Sequence, residues 1–524
     1  MKHKILSVIG AGLLMISAWS CREQSDALTA YDQNETLVFA AADTTFVGKF
    51  DVLWNGMNQY YALWDYEAEQ GIDWDAVYNE FRPQFEALDQ RETVTDDELL
   101  ALMQKILSPL HDGHLHFDIK NHKTGSSLIY SPNQGRVMQR PDFKELECTP
   151  SLAYYTNVAN GEVETDTDGN PIAKECSTSF FDFITRFMQT PGEGGLWISD
   201  RYQELMALSE PTEMQTFEIE QLKNLMTSLK QIEGKPTSDA IAIWNTLQTE
   251  YSFLNIPGFN YFDPSFDDAS IDVKFALLKG NIAYFRLSIF TLTCYLDDKE
   301  VQKKFNMSNP TTQLYVKQVR EVWQSWFDTV QNLHKNGTLG GVIIDVRSNG
   351  GGNMLDSKYI VGSLVPAGGI FFGYQRFKRG TGRYDYSPLM PARVLSMEDP
   401  HETITEPIVI LTNCRSVSMS ETSALCIKAL PNGTQIGKRS WGALCALTDN
   451  DAHSYNYAGY IGVKGVTSVF GNVPSMASYT LDKQLIEAEG ITPDIDVDLD
   501  IDLFKATGRD TQLDRALQFI RTGI

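Results

Sequence analysis

The sequence predicts a mixed α/β protein whose core lies in its C-terminal half, and three observations carry that prediction. Ile408 to Leu411 is a short, uninterrupted apolar run after a proline, as expected of a strand buried on both faces of a largely parallel sheet. Gly341 to Val346, apolar from Val342 to Ile344 and then carrying Asp345, reads as a second buried strand, entering a polar turn with three consecutive glycines, Gly350 to Gly352. Helix-periodic stretches alternate with these strands: Tyr315, Val319, Val322, Trp323, Trp326, Val330 and Leu333 share one face before the glycine turn, and Ala424, Leu425, Ile427, Ala429 and Leu430 share another before Pro431-Asn432-Gly433 stops the helix.

With 524 residues the chain exceeds what one hydrophobic core serves, and two or three units are expected. The net charge of -24 argues against nucleic acid and anionic membrane surfaces as partners. At the start, Lys2, His3 and Lys4 precede an apolar run from Ile5 to Trp19 and then Ser20-Cys21, an export signal too short for a stable transmembrane helix. The segment resembles a bacterial lipoprotein signal, which implies that residues 1–21 are a signal peptide processed to leave Cys21 as a lipid-bearing first residue and membrane anchor; ordinary secretion is the alternative.

Residues 22–45 are polar and aperiodic, suiting a tether. From 46 to 117 the pattern is helical. Phe50, Leu53, Trp54, Met57, Tyr60, Tyr61 and Trp64 mark one helix, Trp74 to Phe85 a second, and the capping box Thr95-Asp96-Asp97-Glu98 starts a third. The unit ends in Leu110-His111-Asp112-Gly113-His114-Leu115-His116-Phe117, where three histidines fall within six residues on a turn leading into a strand. Three readings stand: a metal site, for which no familiar ligand set is completed nearby; satisfied structural histidines; and a single catalytic base.

Residues 118–270 are the least legible. Their aromatic content, including Ser252 to Phe266, is too high for a chain that stays solvated, so an inserted cap or side domain is expected. The Ser252 to Phe266 stretch reads either as a groove lining or as a loop packed on the core. Cys148 and Cys176 are the expected bridge in an oxidising compartment, and Cys294, Cys414, Cys426 and Cys445 are expected as small hydrophobes. The core spans 271–524. It opens with strands Lys274 to Leu278 and Ile282 to Leu287, joined through Lys279-Gly280-Asn281, and closes with the edge strand or arm of "QLIEAEGITPDIDV".

Ser418 lies between the 408–411 strand and the next helix. Ser418-x-x-Glu421 is a capping box whose role is to start that helix, or it presents a nucleophile on a tight strand-to-helix turn beside helix N-terminal N–H groups.

Read together, "LHDGHLHF", "GNIAYFRL", "GGVIIDVRSNGGGN", "PIVILTN" with "SVSMSETSAL", "GTQIGKRSWG" and "EAEGITPDIDV" resemble, in the same order, the carboxy-terminal processing peptidases. That family includes tail-specific proteases, tricorn core domains and the modules of interphotoreceptor retinoid-binding protein. The resemblance implies a ClpP/crotonase-like core and a serine peptidase acting on peptides or proteins, with no metal or organic cofactor. It places the nucleophile on Ser418 and the oxyanion donors on the N–H groups of Gly351 and Met419; many members have proline at the Gly350 position, which has no N–H to give. Ala443 stands where tail-specific members have a catalytic lysine, and Lys438 is one residue beyond Gly437. His114 and Glu487 match the histidine base and the supporting glutamate of the tricorn branch, although Gly113 replaces that branch's serine. The resemblance therefore implies His114 as base, with a rate falling on the acid side at roughly pH 6 to 7. A non-catalytic peptide- or apolar-ligand-binding protein on the same fold is the alternative.

Overall fold

The computed structural model describes residues 45–132, 136–137, 139–145, 148–152, 165–167, 169–178, 202–229, 246–247, 251 and 273–524, except 306, 309, 381, 395, 446–459 and 463–466 within the last range. Cys21, the expected signal and nearly all of the tether lie outside the described residues, as do the Ser252 to Phe266 stretch and most of the expected cap. Among the described residues no helix is long and apolar enough to cross a membrane.

The chain forms two compact units, the first drawn from 1–134, 375–390 and 445–478 and the second from 135–374, 391–444 and 479–524. In the first, helices α1 (Phe46–Tyr60), α2 (Trp64–Glu69), α3 (Trp74–Asp89) and α4 (Asp96–Leu107) precede strands β1 (His116–Lys120) and β2 (Ser127–Tyr130). The aromatic stripe of α1 is interior as its spacing predicts: Phe46, Phe50, Leu53 and Met57 are buried, and Phe50 stacks on Phe85 of α3 at 4.9 Å. The N–H groups at the start of α1 are satisfied from α3, where Asp89 accepts from Phe46 and Val47 at 2.7 and 3.0 Å. The capping box of α4 forms as read. The run ending in Trp64 is broken at Tyr61, which has extended backbone, and a separate short helix begins at Trp64. Strand β1 pairs antiparallel with β2 and with Val469–Asn472, so it runs through the expected 117/118 boundary and ties late sequence into this unit.

In the second unit, strands Cys148–Leu152 and Ala173–Thr178 pair with Cys176 opposite Pro150 and Cys148 opposite Thr178; the two cysteine side chains are outside the described residues. Cys414, Cys426 and, in the first unit, Cys445 are buried cysteines outside any disulfide, and Cys294 is a half-buried one. The main sheet contains β3 (Val273–Leu278), β4 (Ile282–Leu287), β5 (Gly341–Asp345), β6 (Ile408–Thr412), β7 (Gly433–Gly437) and β8 (Ile495–Asp496) in the order β8-β7-β6-β5-β4-β3. Only the β3–β4 hairpin is antiparallel. Helix α5 (Pro310–Lys335) connects β4 to β5, α6 (Met419–Lys428) connects β6 to β7, and α7 (Thr511–Thr522) closes the chain.

Alternation divides the strands between two cores. Val342, Ile344, Ile408 and Ile410 join Trp326 of α5 and Ile427 of α6, while Ile343, Val409, Leu411 and Ile436 join Leu513 and Leu517 of α7. Parallel neighbours end at the same sheet edge, so the turns after β5 and β6 emerge side by side there.

Candidate active site

These two turns are laced together by buried hydrogen bonds. Asn349 O accepts from Val417 N at 2.9 Å and from Ser420 Oγ at 2.8 Å, and Ser416 Oγ donates to Val346 O at 2.8 Å. Asn413 accepts the Ser348 N–H at 2.8 Å and donates from Nδ2 to Ser348 Oγ at 3.0 Å. Ser418 is thereby held at φ 57°, ψ -109°, a strained conformation for a residue with a side chain, immediately before α6. It remains half-buried, so the surroundings fix its backbone without enclosing it.

Gly351 lies directly against this residue. Its φ is +96°, and a Cβ built there would stand 2.6 Å from Ser418 Cβ, 2.8 Å from Val417 O and 3.0 Å from Met419 N. Only glycine fits such an approach. The structure therefore brings Ser418, Met419 and Gly351 together. Met419 is the first residue of α6, where backbone N–H groups lack intrahelical acceptors. The Gly351 N–H, expected as an oxyanion donor, donates to Asn349 Oδ1 at 2.8 Å, so the turn already uses it.

Glu421 is far more than half of a capping box. Oε2 accepts from Ser418 N at 3.0 Å and Ala443 N at 2.8 Å; Oε1 accepts from Ser440 Oγ at 2.6 Å and Gly442 N at 2.7 Å. Burial raises its pKa even though all four donors favour the carboxylate. One fully buried side chain thus joins the Ser418 backbone to the 440–443 segment, a role the short motif could not reveal because these partners come 19 to 22 residues later. Glu487 is also buried, and its Oε2 accepts the Leu444 N–H at 2.7 Å.

The position aligned with the tail-specific lysine is buried Ala443. Lys438 is engaged elsewhere, with Nζ 3.0 Å from Asp496 Oδ1 and 2.6 Å from Asp498 Oδ1. Burial lowers its pKa, but those carboxylates outweigh burial and the net shift is upward, opposite to what a base requires.

In the first unit the three clustered histidines separate. His111 Nδ1 lies 2.8 Å from Glu67 Oε2, and the His111 N–H donates to Glu67 Oε1 at 2.8 Å; His116 Nδ1 lies 3.0 Å from Ser131 Oγ. Asp112 shapes the turn, accepting from His114 N at 2.7 Å and Leu115 N at 3.0 Å. The Nδ1 of His114 is enclosed with no hydrogen-bond partner, although an edge of the residue keeps some exposure. Burial lowers its pKa to about 4, so the imidazole is neutral and able to accept a proton throughout the neutral range.

Residues 282–497 match the family model described as Peptidase family S41. No curated protein matches. Among solved structures, a putative peptidase from Parabacteroides merdae is similar at 17% identity over 90% of this chain and 95% of that chain, with a TM-score of 0.43. Mature CPAF is similar at 10% identity over 92% and 96%, with a TM-score of 0.43. The photosystem II D1 C-terminal processing protease is similar at 18% identity over 44% and 48%, with a TM-score of 0.28.

Proposed function

Since residues 282–497 carry a domain of peptidase family S41, we propose that this protein is a serine peptidase that hydrolyses peptide bonds through an acyl-enzyme on Ser418. The observation that carries this reading is the strained Ser418 packed between the Gly351 turn and the first amide of α6. In the reaction, His114 takes the Ser418 hydroxyl proton as Oγ attacks the substrate carbonyl carbon. The Met419 N–H holds the resulting oxyanion, joined by the Gly351 N–H as Asn349 Oδ1 shares or yields it. The imidazolium then protonates the leaving amine and the C–N bond breaks. Water attacks the ester, His114 accepts its proton, and the acid product leaves as Ser418 recovers its hydrogen. Glu487 acts as the positioning group for the imidazole.

Fluorophosphonate labelling that is lost in Ser418→Ala tests the nucleophile. Absence of labelling in the wild-type chain would leave the ligand-binding alternative. His114→Ala should lower kcat by about 10³-fold or more, as removal of a general base does in serine hydrolases. The lowered pKa of His114 moves the expected acid limb of kcat/KM from roughly 6 to 7 down to about 4. An acid limb that persists in His114→Ala would remove this residue from the role of base. We further propose that the protein is carried outside the cytoplasm on a lipid at Cys21; membrane association that survives Cys21→Ala would reject the anchor.

A further inference from the structure

We infer that a basic, aromatic rim beside the Ser418 turn is a subsite for an acidic side chain, aspartate or glutamate, of a peptide substrate. This rests on the peptidase reading above and names a substrate class for it.

The rim is built by residues 140–143 against the 439–441 segment. Arg140 Nη1 donates to Ser440 O at 2.9 Å and Trp441 O at 3.1 Å, Phe143 meets Trp441 edge-on at 6.0 Å, and the Arg415 guanidinium lies over Phe143 at 5.1 Å. Arg439 Nη2 approaches Asp142 Oδ1 at 3.4 Å. Two guanidinium groups, those of Arg140 and Arg439, thus share the Asp142 carboxylate and a third, that of Arg415, lies over the adjacent Phe143 ring, in a chain whose net charge is -24. The rim is tied to the nucleophile from two sides: Trp441 N donates to Ser416 O at 3.0 Å, and the neighbouring Gly442 N and Ser440 Oγ share Glu421 with the Ser418 amide.

Its hydrogen bonding is incomplete. Arg140 is nine-tenths buried, yet its Nε and Nη2 have no hydrogen-bond acceptor; Nη2 lies 3.2 Å from Asp142 Oδ2 without the alignment of a hydrogen bond. Arg415 Nε is likewise enclosed and unaccepted. A buried arginine with a purely structural role looks different in this same unit. Arg347 makes five hydrogen bonds, two to Asp345, two to Asp510 and one to Gln512. Leaving guanidinium donors enclosed and unpaired is unfavourable. The Nε/Nη2 edge of arginine matches the two oxygens of a carboxylate in a bidentate pair, which relieves that cost. Burial lowers the Arg140 pKa, in keeping with a cation short of partners.

Binding of fluorescein-labelled, C-terminally amidated peptides to the full-length Ser418→Ala chain tests this without requiring turnover. An Ala/Leu host peptide carries one Glu, or one Gln, walked along its length. Glu should bind about tenfold more tightly than Gln at one position, and the preference should shrink with added salt and vanish in Arg415→Gln and Arg140→Gln. Circular dichroism reports whether Arg140→Gln folds; if it does not, Arg415→Gln, with partial rescue by Arg415→Lys, decides. Equal binding of Glu and Gln peptides, no binding by either, or a preference for a free C-terminus over the amide regardless of Glu position would each overturn the assignment. Absence of fluorophosphonate labelling in the wild-type chain would instead count against the peptidase reading while this binding preference is still read.

Discussion

Gly351→Ala tests the packing on which the proposed site depends. A Cβ at 2.6 Å from Ser418 Cβ falls short of an ordinary carbon–carbon contact of about 3.5 Å by roughly 1 Å, and its neighbours at 2.8 and 3.0 Å are backbone atoms without rotamers to adjust. The serine turn or the glycine turn must therefore move. Backbone strain at φ +96° costs about 1–2 kcal/mol for a residue with a Cβ, and overpacking about 1–3 more, a sum of about 2–5 kcal/mol. A 1 Å displacement of a reacting group costs about 10²-fold in rate, so kcat/KM should fall at least that far. Gly280→Ala separates strain from collision: φ there is +93°, but no atom lies within 4 Å of the added Cβ. It should lose only the strain of about 1–2 kcal/mol in urea unfolding and keep its activity. Peptide cleavage and fluorophosphonate labelling are measured for both variants beside urea midpoints. Gly351→Ala with near wild-type kcat/KM would show that the Gly351–Ser418 contact does not position the nucleophile.

Glu421→Gln should reduce stability by about 2–4 kcal/mol and slow fluorophosphonate labelling, because one carboxylate oxygen with two donors facing it becomes an NH₂ group; an unchanged labelling rate would confine Glu421 to folding. Lys438→Ala should leave kcat/KM within about twofold, since its ammonium is held by Asp496 and Asp498; loss of turnover would return lysine to consideration as the base. Asp356, which accepts from Leu292 N, Thr293 N and Thr293 Oγ, is raised by burial from 3.8 to about 6. A carboxyl with a raised folded pKa contributes stability that is fully present below 3.8 and is lost as pH rises through about 6. The stability of the wild-type chain relative to Asp356→Asn should therefore fall by about 2 kcal/mol between pH 4 and pH 7, and a flat or rising difference in urea midpoints would contradict the shift.

The parts of this site that the sequence made legible are those whose deciding interactions are local. Ile408–Thr412 is apolar at every position but its last, Pro431-Asn432-Gly433 follows the helix it cannot extend, and Ser418 falls between, so strand, elbow and helix can be read without knowing what surrounds them. What Glu421 does was hidden because three of its four donors come from 440–443, brought to it only when β7 pairs in parallel with β6. Arg347 stands two residues after Asp345, but its other acid, Asp510, arrives 163 residues later on the turn before α7. The histidine cluster shows the same limit. His111, His114 and His116 look alike in sequence, and they are told apart by Glu67, 44 residues before His111, and by Ser131, 15 residues after His116. Unit boundaries are harder still, since a unit that reclaims 375–390 and 445–478 leaves no compositional break at 117/118 and β1 crosses that position in mid-strand. A short polar motif therefore reveals the backbone it terminates before it reveals the charge it serves. At Ser418-x-x-Glu421 the two roles coincide, because the carboxylate that receives the Ser418 amide at the start of α6 also fixes the 440–443 segment through the Ser440 hydroxyl and the Gly442 and Ala443 amides.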